Sequence, residues 1–228
     1  MKQIPLAIGP DPLPTFDTYL SHANAAAVAH LRALGERAAP VYLWGPPGSG
    51  KSHLLQALLH ERQRRGEHAG SFDATVPAPW PLDLAWPLVV VDGCEALDAE
   101  RQHAAFTLFL QAAEAGVLWV AAGRLPPVDL PLRDDLRTRL AWGHVFALQP
   151  ASEGEARAAL RREADRRGIF LSDEVMDYLL TRAARDMGTL MQWLDRIDHF
   201  ALARQRTVTV PLLRQVLLED PADAGAPT

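Results

Sequence analysis

Over the first 150 positions, apolar residues come in short unbroken runs, and between the runs they recur at three- and four-residue spacing. Val41-Tyr42-Leu43-Trp44, Leu88-Val89-Val90-Val91, Val117 to Ala122 and Val145-Phe146-Ala147-Leu148 are the runs. Stretches of this length, bounded by turn residues, read as strands buried on both faces. From Lys51 to Arg65, Leu54, Leu55, Leu58 and Leu59 lie at helical spacing up to a stop at Gly66, and Asp98 to Glu114 reads as an amphipathic helix. A shorter strand is expected near Ser71–Val76, ahead of a proline-rich loop that runs to Pro87. Strands alternating with helices predict an α/β domain whose mostly parallel sheet is flanked by helices.

After Pro150 the pattern turns purely helical. Ser152 and Glu155 have capping-box spacing, and Gly168 ends the helix they open. A second helix is expected from Ser172 to about Ala184 and a third from Thr189 to Arg204. Thr207–Val210 reads as a brief extended piece, and Pro211 suits the first turn of a last short helix. Pro5, Pro10, Pro12 and Pro14 give an extended, flexible arm, and PADAGAPT reads as a disordered tail. The expected organisation is an arm over 1–14, the α/β domain over 15–150, a small all-helical lid over 151–220, and the tail over 221–228.

Composition narrows the class. With 48% hydrophobic and 22% charged residues in 228, the chain is neither a fibre nor wholly disordered. The net charge of −5 argues against broad electrostatic binding of nucleic acid as the main activity. Cys94 is the single cysteine, which excludes an internal disulfide framework. No apolar run approaches the roughly 20 residues that span a bilayer, and the proline-broken N-terminus is a poor signal peptide, so a cytoplasmic protein is expected. The eight histidines show no metal-ligand spacing, and the run Arg157, Arg161, Arg162, Arg166, Arg167 reads as a solvated helix face that could also meet DNA or a partner protein. Of 23 basic residues, only Lys2 and Lys51 are lysine. Against that arginine background, a lysine in mid-chain marks a place where a compact ammonium is needed.

Lys51 ends a motif. Gly45-Pro46-Pro47-Gly48-Ser49-Gly50-Lys51-Ser52 fits G-x-x-x-x-G-K-[ST], behind an expected strand and ahead of an expected helix. Its glycines let backbone N–H groups turn inward as an anion nest, and the helix N-terminus adds its dipole. The lysine reaches β- and γ-phosphates, and the Ser52 hydroxyl can meet Mg²⁺. Pro46, Pro47, Ser49 and His53 complete the candidate nucleotide-binding stretch. An apolar run ending in aspartate is common by itself. Behind such a loop, Val89-Val90-Val91-Asp92 reads as the strand that delivers a carboxylate to the metal. The position after Asp92, where many ATPases carry a second acid, is Gly93.

On these residues the chain resembles the AAA+ family, in its DnaA-related branch, over about residues 15 to 218. Thr15-Phe16-Asp17-Thr18-Tyr19 with Asn24 is similar to the branch's opening box near the adenine, and Lys51 to Ala57 to its P-loop helix. Arg124-Leu125-Pro126-Pro127 resembles the segment after the sensor-1 strand, and Arg185-Asp186-Met187-Gly188-Thr189-Leu190 the sensor-2 region. Leu136-Arg137-Thr138-Arg139-Leu140-Ala141-Trp142-Gly143 resembles the box that holds the arginine finger. The resemblance implies bound ADP or ATP with Mg²⁺ and places the finger at Arg139, with Arg137 and Arg133 as competitors on the same short helix. Two features match the shorter, regulatory members of the branch. With Thr228 soon after the lid, no DNA-binding helix-turn-helix unit is expected. Gln3-Ile4-Pro5-Leu6-Ala7-Ile8 is similar to their peptide for the DNA polymerase III β sliding clamp, with Gln3, Leu6 and Ile8 as the contacts.

The resemblance thus implies a negative regulator of replication initiation, tethered to a clamp on duplex DNA and stimulating ATP hydrolysis by DnaA in trans. Departures from the branch are Gly93, Arg124 where an acid is frequent at sensor 1, and Gly188 where many members carry the sensor-2 arginine. They imply weak or no intrinsic ATPase activity and a retained nucleotide, with ADP the expected one. A DnaA-paralogous adaptor or helicase loader, an autonomous P-loop ATPase or small kinase, and a homo-oligomeric state all stay open at the level of sequence.

Overall fold

Five strands, all parallel, form one sheet: β1 Val41–Trp44, β2 Gly70–Phe72, β3 Leu88–Val91, β4 Leu118–Gly123 and β5 His144–Ala147. Their spatial order is β2-β3-β4-β1-β5. The computed structural model describes residues 14–20, 22–35, 38–182, 187–204, 208–211 and 213–214. These fall into two compact units divided between Pro150 and Ala151, with the sheet in the first.

The unbroken apolar runs have a simple cause: successive side chains point to opposite faces, and both faces are covered. Tyr42, Val89, Val91, Trp119 and Ala121 pack on one side with Leu108 and Phe109 of α3 (Ala99–Ala115) and Leu136 and Leu140 of α4 (Asp134–Leu140). Val41, Leu43, Val90, Leu118 and Val120 pack on the other side with Leu31 of α1 (Ala25–Arg32) and Leu54, Leu55 and Leu58 of α2 (Lys51–Arg64). All four residues of β3 and all six of β4 are buried.

Two expected strands differ from their reading. The one expected over Ser71–Val76 is the three-residue β2, because the Asp73 carboxylate accepts the Thr75 N–H (2.7 Å) and hydroxyl (2.6 Å) and turns the chain there. The prolines that follow carry Trp80 back onto Phe72, with ring centroids 4.8 Å apart. The run at 145–148 reads as buried, yet His144, Val145 and Ala147 are exposed. β5 is an edge strand, paired to β1 alone in the sheet, whereas Leu148 just beyond it is fully buried.

In the second unit, α5 (Glu153–Arg166), α6 (Asp173–Arg182) and α7 (Met187–Arg204) share one core of Leu160, Met176, Leu179, Leu190, Leu194 and Ile197. Val208 and Leu213 join it, and the Leu213 N–H bonds the Thr209 carbonyl at 3.0 Å. Ser152 and Glu155 form a reciprocal capping box. The arginine run is largely neutralised: Arg157 pairs with Asp177, Arg161 with Asp173, Arg166 with Glu163, and Arg167 with Glu163 and Asp195. Gln3, Leu6 and Ile8 of the arm, the tail, and Arg185 and Asp186 of the sensor-2 stretch lie outside the described residues. Among the described residues, no helix is long and apolar enough to cross a membrane.

Candidate functional site

β1 ends at Trp44 and α2 begins at Lys51, so the glycine-rich loop lies at the C-terminal end of a central strand, where open α/β sheets place ligands. Gly50 caps α2 with φ +84°, in the left-handed region, and a Cβ there would come within 2.4 Å of the Tyr19 ring. Neither the conformation nor the space suits any other residue. The Lys51 ammonium donates to the Gly45 carbonyl (2.7 Å), the Pro46 carbonyl (2.9 Å) and the Ser49 hydroxyl (3.3 Å). Burial pulls the lysine pKa down; the Glu95 and Asp92 carboxylates oppose this, and Arg124 adds to it.

The three bonded partners of Lys51 are neutral oxygens, and among the described residues it makes no ion pair. A half-buried cation solvated by carbonyls is stabilised by an incoming anion, so the loop fits a phosphate chain. Ser52 is exposed in the first turn of α2. Asp92 follows β3 directly, and its Oδ1 accepts the Gly93 N–H at 2.8 Å. Ser52 and Asp92 would therefore supply oxygen to a Mg²⁺ accompanying the phosphates.

Glu95 is a site residue that reads in the sequence as a loop or helix-start position. Its Oε2 accepts the Arg124 N–H at 3.0 Å, and its Oε1 lies 3.1 Å from the Arg124 Nε. No local pattern signals this pair, since it depends on β3 and β4 being neighbours. Tyr42 closes the same end of the sheet, donating its hydroxyl to the Leu125 carbonyl at 2.9 Å.

The opening segment clamps the loop from outside. Tyr19 donates its hydroxyl to the Ser49 carbonyl (2.8 Å) and accepts from Asn24 Nδ2 (2.6 Å). Asn24 also pairs with both backbone groups of Gln149, each at 2.8 Å, tying the segment to the chain beyond β5. His53 is placed on this clamp: its Nε2 lies 2.8 Å from the Thr15 carbonyl and 3.3 Å from the Thr18 hydroxyl. Burial lowers its pKa against the opposing effect of the Thr15 bond.

The three candidate finger arginines differ in their partners. Arg133, the N-cap of α4, pairs with Asp135 at 2.6 Å and also meets His103. Arg137 pairs with Asp134 at 2.5 Å. Arg139 has no carboxylate partner among the described residues, and its guanidinium carbon lies over the Trp142 ring, 4.8 Å from the centroid.

Residues 153–217 match the family model described as "Hda, lid domain". The crystal structure of domain III of Thermotoga maritima DnaA superposes with a TM-score of 0.74 at 17% identity, covering 92% of this chain and 98% of that one. AMPPCP-bound DnaA from Aquifex aeolicus gives 0.65 at 20% identity, over 82% of this chain and 65% of that one. The Holliday junction branch migration motor RuvB of Thermotoga maritima gives 0.66 at 15% identity, over 90% and 72%. The chain thus has the fold of DnaA domain III, and its residues 153–217 are similar to the lid domain of Hda.

Proposed function

We propose that this protein is a negative regulator of replication initiation that supplies Arg139 in trans to the nucleotide site of DnaA and so stimulates hydrolysis of its ATP. The observation that carries the reading is the state of the three arginines. Arg133 and Arg137 are each paired with an aspartate, while among the described residues Arg139 has no carboxylate partner, on a short helix ahead of an exposed turn. Phosphoryl transfer spreads negative charge over the γ-phosphate oxygens, and a guanidinium delivered there by a partner accelerates it by about 10³–10⁵-fold. Arg139→Ala should remove at least about 10³-fold of the stimulation on that scale while sparing nucleotide affinity. Normal stimulation of DnaA by the Arg139→Ala protein would refute the assignment.

The protein's own site holds an adenine nucleotide, ADP or ATP, in this reading; the likeness to AMPPCP-bound DnaA supports the nucleotide class. Lys51 and backbone N–H groups of the Gly45–Gly50 loop bind the phosphates, and Ser52 and Asp92 would hold Mg²⁺, which screens phosphate charge. Turnover there is slow, because Gly93 supplies no acid after Asp92 and the Glu95 carboxylate is engaged by Arg124. Gln3, Leu6 and Ile8 tether the protein to the sliding clamp on duplex DNA, which raises its effective concentration where replication has just passed. Steady-state ATP hydrolysis by this protein alone, by DnaA alone, and by the two together with loaded clamp separates the proposal from an autonomous ATPase and from a passive adaptor or loader.

A further inference from the structure

We propose that Trp142 is the positioning residue of the trans-acting finger: its indole holds the Arg139 guanidinium ready for transfer and docks beside it on the partner ATPase, around the mouth of a site loaded with a nucleoside triphosphate. The inference rests on the function proposed for Arg139 and adds a device to it.

The first observation is exposure. Trp142 is 67% exposed. By contrast, Trp80, Trp119 and Trp193 are buried in the cores. A large indole left in water on a short turn contributes little to the folded state, and Trp and Arg are enriched among residues that dominate protein interfaces. The second is the stacking. With Arg139 Cζ at 4.8 Å from the ring centroid, the ring face restricts the guanidinium without neutralising it. A carboxylate partner, as Arg133 and Arg137 have, would hold the arginine equally well but would cancel the charge that a phosphate must feel. A ring face leaves the in-plane N–H donors free for bidentate contact with phosphate oxygens.

The third observation is that the turn carrying Trp142 is fixed. Leu136 and Leu140 bury the inner side of α4. The Trp142 N–H bonds the Arg139 carbonyl at 3.2 Å, and the Ala141 N–H bonds the Arg137 carbonyl at 3.2 Å. On the other side, a Cβ on Gly143 would lie 1.8 Å from the Pro40 carbonyl oxygen, which also accepts the His144 N–H at 2.8 Å. The backbone therefore runs from α4 into β5 with no slack, and ring and guanidinium are presented together. Pre-orienting the finger in this way removes part of the ordering cost from the transition state.

The test compares Trp142→Ala, Trp142→Leu and Trp142→Phe. The rate of ATP hydrolysis by DnaA is measured against rising concentration of this protein, with loaded clamp present. Trp142→Leu, which keeps apolar bulk without a ring, should leave the half-saturating concentration within about twofold and lower the maximal rate about two- to fivefold, the size of an exposed cation–π contact. Trp142→Phe should restore the maximal rate, and Trp142→Ala should worsen both quantities. A leucine variant equal to wild type in maximal rate, or a phenylalanine variant no better than leucine, overturns the proposal. Equal thermal midpoints in all variants keep folding out of the comparison. Arg139→Ala run alongside separates the two layers. If it stimulates fully, the finger assignment itself fails. If it is inactive while every Trp142 variant is fully active, only the role of Trp142 fails.

Discussion

An arginine-biased chain keeps a lysine at position 51, and its surroundings explain the preference. A compact ammonium reaches two carbonyls and a hydroxyl inside one tight loop, where a planar guanidinium would need a different set of acceptors. Histidines show the opposite side of burial. The His30 Nε2 is buried with no hydrogen-bond partner among the described residues, and its ring centroid lies 4.2 Å from that of His144. Burial and then His144 lower the His30 pKa; burial lowers that of His53, with His60 a smaller contributor in the same direction. For both, the folded state takes up a proton less readily than the unfolded chain, so stability is complete above the ordinary histidine range and falls as pH drops through it. The thermal midpoint should therefore be lower at about pH 5.5 than at about pH 7.5, across the ordinary histidine value of about 6.5. His30→Phe, which removes one titrating group beside Phe146, should show a shallower loss over that interval in thermal melts. An unchanged slope would mean that His30 does not contribute to the pH dependence.

At the scale of elements, local chemistry sets most boundaries. Asp98 accepts the Arg101 N–H and starts α3, Gly116 ends it with φ +72°, and Ser152 with Glu155 starts α5. Ser152→Ala removes one half of a reciprocal cap and should cost about 1 kcal/mol of stability, measured by urea unfolding. A loss below about 0.3 kcal/mol would mean that the helix start is held by packing instead. Helix and strand positions were legible because caps, glycine stops and unbroken apolar runs are local. The extent of β2 was less so, since the Asp73 turn competes with the strand inside the same six residues. The exposure of β5 was not legible at all. An apolar run has the same sequence at a sheet's edge as at its centre, and only the strand order tells them apart. The arginine run of α5 likewise needed its partners, because Asp173, Asp177 and Asp195 sit on other helices.

For the whole molecule, the proposed activity joins a nucleotide site, a trans-acting arginine and an N-terminal tether. A tether acts through effective concentration, so it matters only when the clamp is on DNA. Gln3→Ala with Leu6→Ala should abolish clamp-dependent stimulation of DnaA and leave the thermal midpoint unchanged, read by hydrolysis with and without loaded clamp. Equal stimulation in both conditions by the wild-type protein would remove the tether from the scheme. The sequence by itself determined the phosphate loop, its strand and helix, and the aspartate run, because this chemistry is carried by consecutive residues whose spacing is fixed by the backbone. The resemblance carried by its residues placed the proposed finger at Arg139, with Arg137 and Arg133 as competitors. Which of the three lacks a carboxylate partner among the described residues, and that Glu95 is tied to Arg124, was decided only by the tertiary structure. The aspartates beside Arg133 and Arg137 are within three residues along the chain, but pairing is set by side-chain placement in the folded protein, and the strand order β2-β3-β4-β1-β5 brings Glu95 to Arg124 across 29 positions.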